Sequence, residues 1–376
     1  MRIRNKKIIL ILFSLLFAFS LTLSGCGDSD SAAEGNTTTA AEESTASTDA
    51  ELATEMTTFT DDCGRTIEVP DEIKTVIASG NLAQIILYAI APDKLIAING
   101  SWTEEAKGYL PDEFLNLPEV GSFFGNHDLN YEEIAKMSPD IIIDVGEDKP
   151  SMKSDLEDIT TKTGIPAVHI TANYDDMDVS FEKLGKLLDK EDKAKQLSEF
   201  CVKTMDEATK TMDKVKKKKT IMYCTMEDGL NVLARNSYHS QIIDWIGDNV
   251  AVLDDPSSQG TGNEVNLEQM MIWDPEVIIF APGSYYDYVA DDPAWQTLDA
   301  IKNNHYYEVP SGPYSWMGSP PSCNRLIGIL WMAKLLYPEQ ADYDLMEYTK
   351  EFYRLFYNYE LSNKEYKALV TESIMK

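Results

Sequence analysis

Short apolar runs alternate with longer amphipathic segments along the chain from Phe59 onward. The apolar runs are rich in Val and Ile and are bounded by turn-forming residues such as Gly, Asn and Pro, which is typical of buried β-strands. Strands that alternate with helices predict parallel sheets covered by helices, and therefore an α/β fold. The predicted strands are residues 75–78, 95–98, 141–144, 167–170, 220–224, 230–234, 277–280 and 306–309.

A long helix is predicted between the two groups of strands. No Gly or Pro occurs between Gly185 and Gly229, and apolar residues recur there at spacings of three and four. Such spacing places them in one stripe of a helix, which we predict over residues 192–215 with a length of roughly 35 Å. The stripe consists of Ala194, Leu197, Cys201, Met205, Ala208, Met212 and Val215.

Two segments of the chain share one pattern. Residues 130–143 begin Asn-Tyr-Glu-Glu-Ile, residues 266–279 begin Asn-Leu-Glu-Gln-Met, and each continues into a Pro-acid pair and a β-branched run. Glu132 and Glu268 hold the same place, two residues after the Asn and seven before the Pro. The two copies are too far apart for a solenoid or propeller repeat. They predict two similar lobes, each presenting one carboxylate at a matching point.

The start of the chain has the features of an export signal. Basic residues precede an apolar run over residues 8–23, and its last residue, Leu23, is followed by Ser-Gly and Cys26. This order predicts a signal peptide over residues 1–25. Leu-Ser-Gly-Cys also resembles a bacterial lipobox, in which the Cys carries the lipid. We therefore expect Cys26 to be lipidated and the protein to be anchored at the extracellular face of the cell membrane.

Composition and charge indicate which segments fold and which partners and metal sites are expected. Residues 26–58 are rich in Ser, Thr, Ala, Asp and Glu and contain almost no aromatic residue, so we expect a disordered tether. The net charge of −30 argues against nucleic acid as a partner. Four further cysteines are scattered and their pairing stays open; they are Cys63, Cys201, Cys224 and Cys323. No His belongs to a metal-spaced cluster, so we expect neither a metal site nor a cofactor.

These features together resemble the substrate-binding lipoproteins of ABC importers for iron complexes, cobalamin and related ligands. The resemblance covers residues 59–338 and includes Phe-Thr-Asp at Phe59, Leu-Pro-Glu-Val-Gly at Leu117, the two glutamate segments, and Trp-Met-Ala-Lys-Leu-Leu-Tyr-Pro at Trp331. It implies a class III periplasmic-binding-protein fold, with two α/β lobes around parallel-type central sheets, joined stiffly by one long helix. The implied divisions are a first lobe over residues 59–174, connecting helices over 175–219, a second lobe over 220–340 and C-terminal helices over 341–376.

The resemblance also implies partners. In this family two matched glutamates contact arginines on the permease subunits, and that role falls on Glu132 and Glu268, although Glu133 is an alternative for the first. The expected partners are thus an ABC permease dimer with its ATPase, a small-molecule metal complex, and the membrane through the lipid. An enzyme of the chelatase kind, which shares this architecture, is a less favoured alternative because no catalytic motif such as G-x-S-x-G or H-E-x-x-H is present.

The ligand is expected in a cleft where the carboxyl ends of both sheets face each other. The candidate residues follow predicted strands or lie in a segment dense in Gly, Pro and aromatic residues, and an aromatic cleft suits a ferric siderophore, haem or corrinoid. His239 is the one candidate ligand to haem or metal. Molybdate or tungstate is the alternative ligand, although Asn324 stands where relatives that bind these oxyanions have Arg. The candidate set is Ser79, Asn81, Trp102, Glu147, Arg235, Asn236, Tyr238, His239, Tyr285, Tyr286, Tyr314, Trp316 and Arg325.

Overall fold

The computed structural model describes residues 55–122, 129–371 and 373. The predicted signal peptide, Cys26 and tether residues 27–54 lie outside the described residues. The end of the predicted tether is corrected, because Met56–Thr60 forms strand β1 and pairs antiparallel with β2, Thr66–Pro70. No helix in the described ranges is both long and apolar enough to cross a membrane.

The first sheet contains three parallel strands in the order β3-β4-β5. Every residue of β4 is buried, and its consecutive isoleucines pack in opposite directions: Ile141 and Ile143 into one core cluster, Ile142 into another. A strand covered on both faces explains why the run is apolar throughout. The strands are β3 (Val76–Ala78), β4 (Ile141–Gly146) and β5 (Ala167–Thr171).

The predicted strand over residues 95–98 is wrong. Leu95 and Ile98 make only isolated bridges, to Val76 and Glu119. The helices that accompany the first sheet are α1 (Asn81–Ile90), α2 (Asp112–Leu115), α3 (Tyr131–Met137) and α4 (Met152–Thr163).

The second sheet is mixed rather than parallel throughout. Its order is β11-β10-β6-β7-β9, with β8 also paired to β6. β6, β8, β10 and β11 are parallel, whereas β7 runs antiparallel to β6 and β9. The predicted strand over residues 230–234 is reduced to the two residues of β7. The strands are β6 (Thr220–Thr225), β7 (Asn231–Val232), β8 (Asp248–Asn249), β9 (Asn263–Glu264), β10 (Val277–Phe280) and β11 (Tyr306–Glu308).

Two helices joined by a three-residue connection, residues 188–190, link the sheets: α5 (Met177–Leu187) and α6 (Glu191–Met212). The predicted stripe of α6 is confirmed at Ala194, Leu197, Cys201 and Ala208, which are all buried. The helix ends at Met212, so Val215 lies beyond it. Gly185 allows α5 to approach α6 closely, because a Cβ there would lie 2.4 Å from the Cβ of Ala194.

The remaining helices cover the second sheet and return to the first half of the chain. α11 is buried on all sides, which fits its apolar sequence. The aromatic side of α12 packs on the connecting helices, with Phe356 contacting Phe181 and Phe200. The helices are α7 (Gln241–Ile246), α8 (Leu267–Trp273), α9 (Tyr286–Val289), α10 (Asp299–Lys302), α11 (Asn324–Leu336), α12 (Leu345–Phe356) and α13 (Asn363–Leu369). The α/β fold class is confirmed.

Candidate functional site

An open cleft of about 720 Å³ lies between loops of the two halves. One side follows the carboxyl ends of β4 and β5, the edge at which open α/β sheets usually bind ligands. The other side is formed by α7 and the loop before it. The lining residues are Glu147, Asn173, Tyr174, Asp175, Asn236, Ser237, Tyr238, Gln241, Asp244 and Trp245.

The two sides of the cleft meet at an aromatic pair. Tyr174, after β5, and Trp245, on α7, have ring centroids 5.9 Å apart with their planes inclined by 34°. Both side chains are half-buried, so part of each ring faces the cleft. Burial raises the pKa of Tyr174, and the nearby Asp175 adds to that rise. The phenol is therefore a neutral hydrogen-bond donor as well as an apolar surface.

Arg325 lies directly behind the α7 side of the cleft. It is the second residue of α11 and only 1% exposed. One terminal nitrogen donates to Gln241 Oε1 at 3.1 Å, and the guanidinium carbon lies 4.8 Å from the ring centroid of Tyr238. The Nε atom is buried without a hydrogen-bond partner, and within the described residues no carboxylate forms an ion pair with Arg325.

This buried cation affects its surroundings. Burial, reinforced by the positive charge of Arg325, lowers the pKa of His239 to about 4. His239 is therefore neutral near pH 7 and leaves Arg325 as the positive charge behind this wall. A buried cation without a carboxylate partner is costly unless an anion compensates it. The arrangement suits an anionic ligand bound against Tyr238 and Gln241.

Three predicted ligand residues line the cleft, namely Glu147, Asn236 and Tyr238. Two more lie at its wall: Arg325 behind Gln241, and His239, whose ring stands edge-on to Tyr238 at 5.6 Å. Asn81 is exposed at the first position of α1 and is not among the lining residues.

Two other predicted ligand residues, Ser79 and Arg235, do not line the cleft and are bonded to other residues. Ser79 is buried and donates to the Asp144 carboxylate. Arg235 stays within its own half, where its Nε donates to the Asn249 carbonyl at 2.7 Å and a terminal nitrogen pairs with Asp248. Each of these polar groups already has an internal partner.

The predicted aromatic rim is also corrected. Trp102, Tyr314 and Trp316 are 5%, 6% and 1% exposed and belong to the main core, where the rings of Trp102 and Tyr314 are in contact. Tyr286 is buried against Phe280 and Tyr306. Tyr285 stacks on Trp295, and its hydroxyl donates to Asp292 at 2.8 Å. Trp102, Tyr286 and Trp316 are therefore buried, Tyr285 is partly buried against Trp295, and none of the four lines the cleft.

The sequence reasoning missed Tyr174 and Trp245. Asn173, Tyr174 and Asp175 follow β5 at the same sheet edge that led us to Glu147, so the position alone would have identified them. Trp245 was also detectable, because Ile242, Ile243 and Ile246 form the buried face of α7 and Trp245 lies off that face.

The two matched glutamates lie at equivalent positions in the structure. Each is the second residue of a seven-residue helix, Glu132 of α3 and Glu268 of α8, and both are exposed. Asn130 and Asn266 cap the two helices by accepting from the backbone N–H three residues later, at 3.1 and 2.8 Å. The sequence repeat therefore corresponds to one local structure found twice, an Asn-capped helix with an exposed Glu at its second position.

Glu133 differs from its neighbour. Its carboxylate lies 3.6 Å from Lys136 Nζ, whereas the described residues provide no ion pair for Glu132 or Glu268. Glu132 and Glu268 are thus the pair that shares both position and an uncompensated negative charge.

Comparison with known proteins identifies the family of the chain. The family model for periplasmic binding proteins matches residues 76–313. The chain is 26% identical over 183 residues to the Fe(3+)-citrate-binding protein YfmC of Bacillus subtilis, which is 48% of this chain and 56% of that relative. The chain thus spans little more than half the length of this curated relative.

Solved structures share the fold. An ABC transporter solute binding protein from Sulfurospirillum deleyianum matches with a TM-score of 0.78 and 29% identity, over 84% of this chain and 99% of that one. The molybdate-bound periplasmic binding protein MolA of Haemophilus influenzae matches with a TM-score of 0.65 and 20% identity, over 81% of this chain and 99% of its own, which shows the fold alone. The resemblance inferred from the sequence is confirmed, and the family consists of binding proteins rather than enzymes. The chain belongs to the periplasmic binding protein family.

Proposed function

We propose that the chain is the substrate-binding lipoprotein of an ABC importer and that it captures an anionic metal complex in the cleft. The buried, uncompensated Arg325 carries this proposal, because it makes the α7 wall of the cleft favourable for negative charge. Three acids line the cleft: Asp175 is exposed to water, Glu147 is half-buried, and Asp244 already accepts hydrogen bonds from Asn236, Ser240 and Asn249. Solvation and these hydrogen bonds reduce their repulsion of an anion, whereas Arg325 is a buried cation without an ion pair among the described residues.

Among metal complexes, ferric citrate or a ferric siderophore is favoured over haem or a corrinoid. The relative in Bacillus subtilis is an Fe(3+)-citrate-binding protein. The cleft is lined mainly by polar side chains, with one aromatic pair from Tyr174 and Trp245. Such a lining suits a ligand with many oxygen acceptors better than a large flat macrocycle.

An oxyanion is the second candidate, and Arg325 near the N-terminus of α11 is the feature that favours it. Asn324 makes it the weaker candidate. Its side chain is fully buried, and its amide nitrogen donates to the carbonyls of Ser315 at 2.5 Å and Pro320 at 3.2 Å. Those donors are therefore not directed to an anion.

The test is a direct titration of the purified chain. Tryptophan fluorescence and calorimetry are followed during addition of ferric citrate, ferric siderophores of different charge, haem, a corrinoid, and molybdate. We expect saturable binding of an anionic ferric complex and none of iron-free citrate at the same concentration. Tight binding of molybdate with no response to any iron complex would replace the proposal by the oxyanion alternative.

The anchor and the permease contact complete the proposal. Cys26 carries the lipid, and Glu132 and Glu268 dock the loaded protein on the two permease subunits. A Cys26→Ser variant is expected to appear as a soluble protein or an uncleaved precursor, because only a thiol at that position is acylated. Membrane retention of a processed Cys26→Ser form would contradict the anchoring.

A further inference from the structure

Three side chains that can ligate a metal converge beside strand β5 of the first sheet. Cys63 lies in the β1–β2 turn, Asp148 follows β4, and His169 lies on β5. One ligand atom from each lies within 4.8 Å of the other two. Sequence spacing did not predict this group, because the topology joins residues that are far apart in the sequence.

We infer that Cys63, Asp148 and His169, none of which lines the ligand cleft, form a binding site for a divalent transition-metal ion of the Zn²⁺ class. A thiolate, an imidazole and a carboxylate are the donor set that Zn²⁺ takes in proteins. Three protein ligands leave the fourth tetrahedral position for water. The inference rests on this cluster and not on the identity of the imported ligand.

The His169 ring is oriented as a metal-binding imidazole usually is. Its Nδ1 lies 2.6 Å from the Asp144 carboxylate, and its Nε2 lies 3.2 Å from the Thr171 hydroxyl. A carboxylate holds the Nδ1 proton more firmly than a hydroxyl holds Nε2, so Nε2 is the nitrogen that we assign to the metal. A carboxylate on the other nitrogen fixes the ring and its tautomer. The Thr171 hydroxyl, now 3.2 Å from Nε2, would have to rotate away for Nε2 to bind a metal ion.

The ligand atoms are slightly farther apart than they would be around a bound zinc ion. Ligand atoms in a tetrahedral zinc site are separated by roughly 3.5 Å, given bonds of about 2.0 to 2.3 Å. Cys63 Sγ and Asp148 Oδ1 are 4.0 Å apart. His169 is fixed in the core, whereas Asp148 is exposed, so Asp148 supplies the movement that closes the site.

The surrounding charges also favour a cation. The Arg65 guanidinium donates to the Asp61 carboxylate at 3.0 and 2.6 Å, so its charge is compensated. A bound divalent cation would pair directly with the Asp148 carboxylate, and the Asp144 carboxylate lies on the other side of the His169 ring.

Cobalt binding provides the test, since a Co²⁺–thiolate bond gives an ultraviolet charge-transfer band. The full chain in a Cys26→Ser background is stripped with chelator and titrated with CoCl₂ and then ZnCl₂, without any iron complex. We expect one Co²⁺ per chain with a thiolate band that Zn²⁺ bleaches. Melting should occur at a higher temperature with Zn²⁺ than without it.

Variants assign the ligands. Cys63→Ser should remove the thiolate band and weaken binding at least tenfold, and Asp148→Asn should weaken it while keeping the band. Both residues are accessible, so the fold is expected to survive, as circular dichroism would show. Cys201→Ala, which removes a thiol elsewhere, and Trp245→Ala, in the cleft, should leave the band unchanged. A wild-type chain without the band, or a band that persists in Cys63→Ser, would overturn the inference.

Discussion

Thr75 and Asp140 each donate a backbone N–H hydrogen bond to the side chain of the other. The Asp140 carboxylate accepts from the Thr75 backbone N–H at 2.8 Å, and the Asp140 backbone N–H donates to the Thr75 hydroxyl at 3.0 Å. The same exchange recurs in the second half, where Glu276 accepts from the Thr220 N–H at 2.9 Å and donates to its hydroxyl at 3.0 Å. Each pair joins the starts of two neighbouring parallel strands.

Removing the Asp140 side chain should lower the free energy of unfolding more than removing the Glu276 side chain. Asp140 also accepts from the Lys74 N–H at 2.7 Å, so Asp140→Ala leaves three donors without their charged acceptor. We expect a loss of about 1.5–3 kcal/mol in the free energy of unfolding, and less for Glu276→Ala at its more exposed site. Urea denaturation measures both. Glu157→Ala, on the exposed face of α4, is the control and should stay within about 0.5 kcal/mol. Equal losses for all three variants would contradict the prediction.

The Glu276 contribution should depend on pH. Hydrogen bonds from the Thr220 backbone and hydroxyl hold the folded-state pKa of Glu276 below its usual value of 4.5. A depressed pKa stabilises the fold above the unfolded-state value, and this stabilisation is lost as pH falls through the folded-state pKa. The stability gap between wild type and Glu276→Gln should therefore be constant above about pH 5 and shrink below about pH 4. A gap that widens on acidification would exclude this assignment.

The internal repeat shows what the sequence can and cannot predict. Pattern alone located both Pro-acid pairs and both capped helices, because local capping and strand composition depend on neighbouring residues. The bond from each acid to a threonine on another strand was not predictable, since Thr75 and Asp140 meet only after the parallel sheet has formed. The same limit hid the antiparallel β7, whose pairing depends on its partner and not on its own residues.

The close packing of α5 against α6, the helices that connect the two sheets, can be tested by substitution of Gly185. A Cβ at position 185 would lie 2.4 Å from the Cβ of Ala194 and 3.4 Å from the Glu191 Cα. Gly185→Ala should therefore lower stability by about 1–3 kcal/mol, although Ala favours a helix by about 1 kcal/mol over Gly. Gly108→Ala, where nothing lies within 4 Å of the added atom, is the matched control. A stabilised Gly185→Ala variant would show that the helices separate without cost.

The matched glutamates should matter for transport and not for binding. Glu132→Ala with Glu268→Ala should abolish uptake of the ligand by cells and leave its affinity within about twofold, because neither residue lines the cleft. Individual exposed ion pairs are weak, but two at fixed separation orient one protein on another. Uptake of a radiolabelled ferric complex and calorimetry measure the two quantities.

The neighbouring residues on the same two helices provide the control for docking. Glu133→Ala with Gln269→Ala alters the same two surfaces, one position further along, and should leave uptake near the wild-type level. Loss of uptake in this control alone would move the first contact from Glu132 to Glu133.

The ligand cleft was predicted less completely than the fold. Glu147, Asn236 and Tyr238 were found because residues that follow strands converge at the carboxyl edge of a sheet. Trp102 and Trp316 were misassigned because an aromatic residue in a loop has the same sequence pattern whether the loop lies open or folds over a core. Only tertiary packing distinguishes the two cases.

The cleft and core tryptophans should therefore respond in opposite ways. Trp245→Ala removes a ring that contacts Tyr174 across the cleft, so affinity for the ferric complex should fall by about 5- to 150-fold, equivalent to about 1–3 kcal/mol, with little change in melting temperature. Trp316→Ala, in the core, should lose about 3–5 kcal/mol of stability and reduce binding only through unfolding. Thermal melts and titrations on the same samples separate lost affinity from lost stability.

The charge of Arg325 is tested by Arg325→Met, which keeps the volume and removes the charge. This variant should bind an anionic complex more weakly, and a neutral complex should be affected less. Unchanged affinity in both Trp245→Ala and Arg325→Met would exclude this cleft as the binding site.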